Sequence, residues 1–137
     1  MNRVTIDALK PAHTITEDDR LGIIHIVVAG FFDRKTLDEH FAVKKRIVER
    51  WRADGRPICV LIDAVSLKPH SAENQSYVQE AVANIYRPSD RVALLLESSL
   101  IKMQMRRCLS HGELSNYFIS KHAAITWLTA YSPVVSA

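Results

Sequence analysis

Five short runs rich in β-branched and other apolar residues recur along the chain, and most of the gaps between them are long enough for a helix. The five runs are HTIT (13–16), GIIHIVVAG (22–30), PICVLIDA (57–64), RVALLLE (91–97) and NYFIS (116–120). Runs of this length and composition predict β-strands. The three central runs show little alternation with polar residues, which is typical of strands covered by helices on both faces of a largely parallel sheet.

The gaps between the runs predict how the strands are connected. Only the polar segment EDDRL (17–21) separates the first two runs, which suits an antiparallel hairpin, whereas each later gap can hold a helix. We therefore predict an α/β fold with a mixed five-stranded sheet, in which the N-terminal antiparallel hairpin is followed by parallel βα units with right-handed crossovers, flanked by about four helices. A chain of 137 residues suits a single domain over residues 1–137, with its core from about 12 to 131.

Three of the predicted helices have a clear apolar face. The first begins at Ser71 and ends before Pro88, the second covers about 98–112, and the third covers about 120–131. Their apolar positions are Val78, Ala81, Val82 and Ile85 in the first, Ile101, Met105, Cys108 and Leu109 in the second, and Ala124, Leu128 and Tyr131 in the third.

The remaining helix, predicted from about Lys35 to Ala53, has a lysine within its apolar stripe. The stripe consists of Leu37, Phe41, Val48 and Trp51. At about 100° per residue, Lys44 falls near the centre of that stripe. A lone buried ammonium would cost several kcal/mol or lose its proton, so this side chain must snorkel to solvent, pair with a carboxylate or point into a cavity. The functional interpretation is a cationic group at the edge of a ligand pocket.

The composition is that of a soluble globular domain, with 47% hydrophobic and 24% charged residues. The longest apolar run, IIHIVVAGFF (23–32), is far shorter than the roughly 20 residues that a membrane-spanning helix needs. The first 13 residues contain no apolar signal-peptide core. We therefore expect a cytoplasmic protein. Cys59 and Cys108 fall in an apolar strand and an amphipathic helix, which favours buried, reduced thiols over a disulfide or a metal site.

No motif for a metal, a nucleotide or a catalytic nucleophile is evident. No two of the six histidines form an H-x-x-x-H pair, and the four glycines are isolated, so no loop is suited to phosphate binding. His25 is interpreted as a hydrogen-bonded sheet residue. Cys59 or Ser66 could meet His70 as a nucleophile with its base, but Cys59 lies where a side chain is normally packed and inert. We therefore predict a non-enzymatic domain without a metal or other cofactor.

Basic residues concentrate on or just beyond the first predicted helix. They are Arg34, Lys35, Lys45, Arg46, Arg50, Arg52 and Arg56, and five acidic residues lie among them. Mixed signs usually indicate a solvated face, and a net charge of +3 is too small to indicate nucleic-acid binding. A net positive patch could still meet an acidic lipid or an acidic protein.

The predicted order of strands and helices, together with two sequence motifs, resembles that of a known family. VVAGFFDRKTL (27–37) looks like a strand, glycine, polar turn and helix, and YFISKHAAITWL (117–128) looks like an aromatic strand leading into a helix with Ala124, Trp127 and Leu128. From about residue 12 to residue 130 the chain resembles the STAS domain, the fold of anti-sigma-factor antagonists and of transporter cytoplasmic tails, and more specifically the SpoIIAA-like family. The resemblance implies regulation through protein contacts. SpoIIAA-like domains also resemble lipid-carrier folds in overall shape.

The resemblance also singles out the segment KPHSAEN (68–74). It occupies the place of the antagonists' Asp-Ser-Ser-Gly type motif, in which a phosphoacceptor serine lies just after the third strand. Ser71 aligns with that serine within a position or so, but Lys68 and His70 precede it instead of an acid, and Ala72 stands where glycine would let a partner approach closely. Ser71 is therefore interpreted as a helix N-cap, with a phosphorylation switch as the alternative. A phosphate there would be favoured by the helix dipole and by Lys68 and His70.

These observations lead to a functional prediction with one alternative. We predict a regulatory or protein-interaction domain whose partner-binding or phosphorylation site includes Lys68, His70 and Ser71. We expect a protein partner, allow for a homodimer, and expect no nucleic-acid ligand. The alternative is a carrier or sensor of a small hydrophobic or lipid ligand, at a membrane surface or in solution, with Lys44 at its pocket.

Overall fold

The computed structural model describes residues 10–98 and 115–130, which contain five strands and three helices. In chain order these are β1 (Ala12–Asp18), β2 (Ile23–Gly30), α1 (Arg34–Ala53), β3 (Cys59–Leu67), α2 (Ala72–Ile85), β4 (Arg91–Leu95), β5 (Ser115–Phe118) and α3 (Lys121–Ala130). Apart from Ser98, the helix predicted over about 98–112 lies outside the described residues, as does Tyr131. The described part of the chain therefore has three helices where about four were predicted for the whole.

The strands form one sheet in the order β1-β2-β3-β4-β5. β1 and β2 pair antiparallel, and each later pair is parallel, which confirms the predicted mixed sheet with an N-terminal hairpin. The hairpin turn is held by the Asp18 carboxylate, which accepts from the backbone N–H groups of Arg20 at 3.0 Å and Leu21 at 3.1 Å. Gly22 closes the turn with a positive φ of 70°, a conformation that glycine adopts without steric cost.

The sheet is covered by helices on both faces. α1 and α2 pack on one face, where Ile24, Ile26 and Val28 of β2 point, whereas α3 packs on the other through Ala124 and Leu128. The buried Leu128 confirms the predicted inward face of the last helix. Alternate residues of the central strands thus meet different helices, which explains why these strands lack polar alternation.

The helix ends follow from local capping. Asp33 caps α1 by accepting from the Thr36 backbone N–H at 2.8 Å. Ser71 caps α2 by accepting from the Asn74 backbone N–H at 3.2 Å, and α2 ends at Ile85, as the sequence predicted. Both caps satisfy N–H groups that the first helical turn leaves without a partner. Within the described segments, no helix has the length and apolar character that crossing a bilayer requires.

Candidate functional site

The topology brings residues from distant parts of the chain to the edge where the parallel strands end, here called the carboxyl edge. Because β1 runs antiparallel to β2, His13 near the start of β1 lies opposite Val28 near the end of β2. Because β2 and β3 run parallel, Gly30 and Leu67 end side by side. The segments that follow these two strands carry Phe32 and His70, so both reach the same edge.

Gly30 makes the turn into α1 possible. Its φ is +79°, and a Cβ atom at this position would lie only 2.1 Å from the backbone oxygen of Lys10. The N-terminal segment therefore passes directly against the end of β2, an approach that glycine alone allows. The carbonyl of Gly30 also accepts from the Lys68 backbone N–H at 2.9 Å, which ties the loop after β3 to the same turn.

Three histidines surround the buried ring of Phe32, and we call these four residues the histidine cluster. The Phe32 ring centroid lies 5.9 Å from that of His13, 6.1 Å from that of His40 and 6.4 Å from that of His70. The Nδ1 atoms of His13 and His40 are 3.3 Å apart, so one ring donates to the other. Such a hydrogen bond requires that at least one of the two rings be neutral.

Burial keeps His40 neutral. Its side chain is 4% exposed, and burial, with smaller contributions from Lys44 and His13, lowers its pKa to about 2. Burial also lowers the pKa of His70, whose Nδ1 atom is buried and has no hydrogen-bond partner among the described residues. His70 therefore adds no positive charge beside Ser71 at neutral pH, so of the two side chains expected to favour a phosphate there, Lys68 supplies the charge.

The loop between β3 and α2 is anchored to the core by some of its residues and exposes others to solvent. The His70 ring packs on Phe32, and the backbone oxygens of His70 and Phe32 accept from Gln75 at 3.4 Å and Asn74 at 3.5 Å, both on α2. The side chains of Lys68 and Ser71 are exposed. The predicted N-cap role of Ser71 is confirmed, while its phosphorylation stays a prediction.

Lys44 is buried in the interior between α1, α2 and the sheet. Only 4% of the residue is exposed, and no carboxylate in the described part of the chain pairs with it. Its Nζ atom lies 5.0 Å from the ring centroid of Phe41 and 5.7 Å from that of Tyr86. Burial lowers the pKa of the Lys44 ammonium to about 7. Among the described residues the structure excludes the carboxylate pair, one of the three alternatives for this side chain, and a pocket at Lys44 stays a prediction.

Tyr86 adds a second polar group without a partner beside Lys44. Its hydroxyl is buried and, within the described segments, forms no hydrogen bond; burial raises its pKa. Asp90, whose charge acts on Tyr86, is already engaged. It accepts from both terminal nitrogens of Arg52 at 2.8 and 2.6 Å and from the Arg87 backbone N–H at 2.8 Å. A buried hydroxyl without a partner costs about 1–3 kcal/mol, and a buried unpaired charge costs more.

Basic residues on and just beyond α1 lie among acidic residues, as predicted, and several of them form ion pairs. Arg50 pairs with Glu17, Arg56 with Asp19 at 3.0 Å, and Arg34 with Asp38 at 3.7 Å. Arg52 turns inward to Asp90 and also donates to the Ile85 carbonyl at 2.7 Å.

Comparison with known proteins rests on solved structures, because no protein-family model and no curated protein matches the sequence. An anti-sigma factor antagonist from Mycobacterium paratuberculosis superimposes with a TM-score of 0.57 at 11% identity, over 87% of this chain and 94% of that chain. An uncharacterised protein of the DUF3478 family from Shewanella loihica PV-4, with a SpoIIAA-like fold, superimposes with a TM-score of 0.66 at 16% identity, over 87% and 95% of the two chains. The present chain has a SpoIIAA-like fold. At these identities the likeness establishes the fold alone, and it confirms the resemblance seen in the sequence.

Within this SpoIIAA-like fold the predicted site residues form two separate groups. Lys68, His70 and Ser71 lie together at the carboxyl edge, whereas Lys44 lies deeper, one helical turn beyond His40 on α1. The histidine cluster connects the two groups through His40, whose charge interaction with Lys44 contributes to its lowered pKa.

Sequence reasoning missed His13, His40 and Tyr86. The position of His40, three residues after Leu37 and four before Lys44, placed a second polar residue within the apolar stripe of α1 and could have identified it. Nothing local marks His13, because its partner is 27 positions away.

Two further interpretations of the sequence can be compared with the structure. His25 was predicted to be hydrogen-bonded within the sheet. This prediction is wrong for its Nε2 atom, which is buried and has no hydrogen-bond partner among the described residues. His25 alternates with Ile24 and Ile26, so it faces the α3 side of the sheet. Burial, followed by the charge of Lys121, lowers its pKa.

Cys59 is a buried free thiol, as expected, and burial raises its pKa. It packs against α3, on the face opposite Phe32 and His70, so the structure does not bring Cys59 and His70 together as nucleophile and base. Cys108 lies outside the described residues. No group of three or more potential metal ligands occurs within residues 10–98 and 115–130.

Proposed function

We propose that this chain is a non-enzymatic regulatory domain that binds a protein partner through the loop between β3 and α2, at Lys68, His70 and Ser71. The observation that carries the proposal is the anchoring of this loop: His70 holds it against Phe32, while Lys68 and Ser71 remain exposed. A surface held in one conformation before binding loses little conformational entropy when a partner docks.

The likeness in fold supports a regulatory role. One of the matched structures is an anti-sigma factor antagonist, and this chain shares its fold over most of both lengths. In open α/β sheets, ligands and partners usually bind at the carboxyl ends of the strands, where this loop lies.

Phosphorylation of Ser71 would provide a switch at this surface. The hydroxyl lies at the N-terminus of a 14-residue helix, whose dipole favours negative charge, and Lys68 is the nearby cation in the same loop. Glu73 in the first turn of α2 opposes the added charge. The competing interpretation is that Ser71 acts as a cap alone.

The test is capture of partners from a lysate of the source cells by the immobilised full chain, followed by binding measurements with each purified candidate. Lys68→Glu and Ser71→Glu are compared with Arg20→Glu, a charge reversal in the exposed hairpin turn at the opposite edge of the sheet. We expect a purified partner to bind the wild type and Arg20→Glu alike and to bind Lys68→Glu at least tenfold more weakly. Equal binding by all four proteins would exclude this surface. Sedimentation of the chain alone shows whether the partner is a second copy.

A second candidate function is favoured by the unpaired, buried Lys44. It is a carrier or sensor of a small hydrophobic or lipid ligand that enters between α1 and α2. A thermal-shift screen of fatty acids, anionic lipids and nucleotides tests it, because a ligand that binds only the folded state raises the melting temperature. Stabilisation by fatty acids or lipids, and not by nucleotides, is the expected result.

A further inference from the structure

The interior around Lys44 contains two polar groups that an apolar residue could replace without loss of packing. Methionine at position 44 and phenylalanine at position 86 would have nearly the same shapes, and neither would leave a polar atom unsatisfied. The chain instead has a lysine that is only 4% exposed, and no described carboxylate pairs with it. Its Nζ atom lies 5.7 Å from the ring centroid of Tyr86, whose buried hydroxyl has no hydrogen-bond partner in the described part of the structure. A pair of donors of this kind is suited to an oxygen acceptor from outside the chain.

The charges around Lys44 determine which charge an acceptor needs in order to balance the site. From α1, His40 is neutral; from the segment after α2, Tyr86 is uncharged, and Asp90 is neutralised by Arg52. From the sheet, β1 contributes His13, which lies against His40, and Glu17, which pairs with Arg50. The buried residues of β2 to β5 that pack beneath α1 and α2 are apolar apart from Tyr117 of β5. The site therefore has a net charge of one when Lys44 is protonated, which matches a monoanion. A phosphate monoester, with nearly two negative charges at neutral pH, would be left unbalanced.

The surroundings of the charge are apolar and aromatic. The sheet residues beneath α1 and α2 include Ile24, Ile26 and Val28 of β2, Val60 and Ala64 of β3, and Val92 and Leu94 of β4. Phe41 and Tyr86 flank the ammonium itself. A ligand that fits these neighbours has a hydrocarbon body and one anionic end.

The route to Lys44 lies between the points at which α1 and α2 are tied together. At one end the Tyr77 hydroxyl donates to Asp38, and Arg34 stacks 3.5 Å above the Tyr77 ring. At the other end Arg52 donates to the Ile85 carbonyl. Between these ties, α2 presents Val78, Ala81 and Val82, which are only partly buried, and its one buried residue is Ile85. The middle of α2 is thus the least firmly packed wall around Lys44.

We propose that the interior between α1, α2 and the sheet binds the carboxylate of an apolar monocarboxylic acid, with the Lys44 ammonium as its counter-ion and the Tyr86 hydroxyl as a hydrogen-bond donor. This inference rests on the second candidate function and names its ligand class. It is independent of the surface at Lys68, His70 and Ser71.

The site also predicts that ligand binding depends on pH, because it requires protonation of the Lys44 amine. Burial lowers the pKa of Lys44 to about 7 in the free protein, so above pH 7 the amine must take up a proton before it can pair with a carboxylate. The dissociation constant should then rise with pH above 7, by a factor that approaches about tenfold per pH unit. A ligand held by its hydrocarbon body alone would show no such dependence.

The test is isothermal titration of the full chain with decanoate, decanol and decyl phosphate at pH 7 and pH 8.5. We expect decanoate to bind most tightly, and to bind about 15-fold more weakly at pH 8.5 than at pH 7. Lys44→Met should weaken decanoate binding by at least tenfold and remove the pH dependence. Lys45→Met, the same change at the exposed neighbouring position, should behave as the wild type. Tyr86→Phe should weaken binding by a few fold.

Other results would overturn the inference in distinguishable ways. Equal affinities for decanol and decanoate, with Lys44→Met unaffected, would leave a hydrophobic carrier but reject the role of the ammonium. Tighter binding of decyl phosphate would reject the monocarboxylate class. Binding by none of the three probes would reject both the inference and the carrier function. If Lys44→Met fails to fold, a wild-type affinity for decanoate that is unchanged between pH 7 and pH 8.5 is sufficient to reject the proposal.

Discussion

Lys44 and His40 lie one helical turn apart on the buried face of α1, and both are in surroundings that disfavour their charged forms. Burial is the largest cause of the lowered pKa of each group. The positive charge of Lys44 also opposes protonation of His40. These two residues therefore make the stability of the folded chain depend on pH in two separate ranges.

Above neutral pH, the free energy of unfolding should rise with pH because of Lys44. Its pKa is about 7 in the folded protein and 10.5 as an ordinary lysine, so between these values the unfolded chain binds the proton and the folded chain does not. Stability then increases by up to about 1.4 kcal/mol per pH unit. Urea unfolding of the wild type at pH 7 and pH 9 measures this increase.

Two variants separate the contribution of Lys44 from that of other groups. Lys44→Met should be more stable than the wild type at pH 7, by on the order of 2 kcal/mol, and should lose most of the increase between pH 7 and pH 9. Lys45→Met provides the exposed control and should follow the wild type. A wild-type stability that is flat over this range would show that the Lys44 amine is solvated in the folded protein.

Below neutral pH, stability should fall because of His40. Its pKa is about 2 in the folded protein against 6.5 ordinarily, so as the pH drops below about 6.5 the unfolded chain takes up a proton that the folded chain excludes. The lowered pKa values of His70 and His25 act in the same direction. The loss due to His40 approaches about 1.4 kcal/mol per pH unit.

The measurement is the urea midpoint between pH 7 and pH 5 for the wild type, His40→Gln and His122→Gln. His40→Gln cannot ionise, so its midpoint should fall less steeply than that of the wild type. His122 is exposed on α3, and its replacement should leave the slope unchanged. Parallel slopes for all three proteins would rule out His40 as the source of acid sensitivity.

At the scale of elements, α2 depends on its N-cap more than α1 does, because it has fewer buried contacts. Its one buried residue is Ile85, whereas α1 buries residues over its whole length. Ser71→Ala removes the acceptor for the Asn74 backbone N–H and should lower the free energy of unfolding by about 0.5–2 kcal/mol. Ser71→Asp should restore it, since aspartate caps equally well and suits the helix dipole.

For both variants we compare the stability, measured by thermal or urea unfolding, with the affinity for a purified partner. If Ser71 is a cap alone, Ser71→Asp matches the wild type in both stability and binding. If the residue is a switch, Ser71→Asp matches in stability but differs in binding. An unchanged stability for Ser71→Ala would contradict the capping role that the geometry assigns.

For the whole molecule, the pair of Arg52 and Asp90 joins three elements that are distant in the sequence. Arg52 near the end of α1 binds Asp90 just before β4 and the carbonyl at the end of α2. Asp90 is 3% exposed, so removing its partner leaves a buried, uncompensated carboxylate. Arg52→Met should therefore lower the free energy of unfolding by about 3 kcal/mol.

The matched control for this change is Arg50→Met. Arg50 pairs with Glu17 on the exposed surface of the same helix, where solvent screens the interaction, so the loss should be much smaller. The double variant Arg52→Met with Asp90→Asn should recover part of the stability lost by Arg52→Met. An Arg52→Met protein as stable as Arg50→Met would show that the Asp90 carboxylate is hydrated despite its burial.

The local patterns of the sequence were sufficient to predict the order of the strands and helices, the mixed sheet and the cap at Ser71. They also placed Lys44 within the apolar stripe of α1. Each of these depends on residues within a few positions of one another, because the periods of strands and helices and the geometry of caps are local. The pairing directions also followed from the chain, since the short first gap permits a hairpin and the longer gaps permit crossovers.

Only the tertiary structure decided which polar groups meet in the interior. His13 and His40 are 27 residues apart, and Arg52 and Asp90 are 38 apart, so no local pattern relates them. Whether Lys44 would pair with a carboxylate depended on where the acidic side chains of other elements ended, and the buried Asp90 pairs with Arg52 instead. The apolar stripe of α1 determined that the helix would be buried, but the partners available to a buried charge are set by the packing of distant segments.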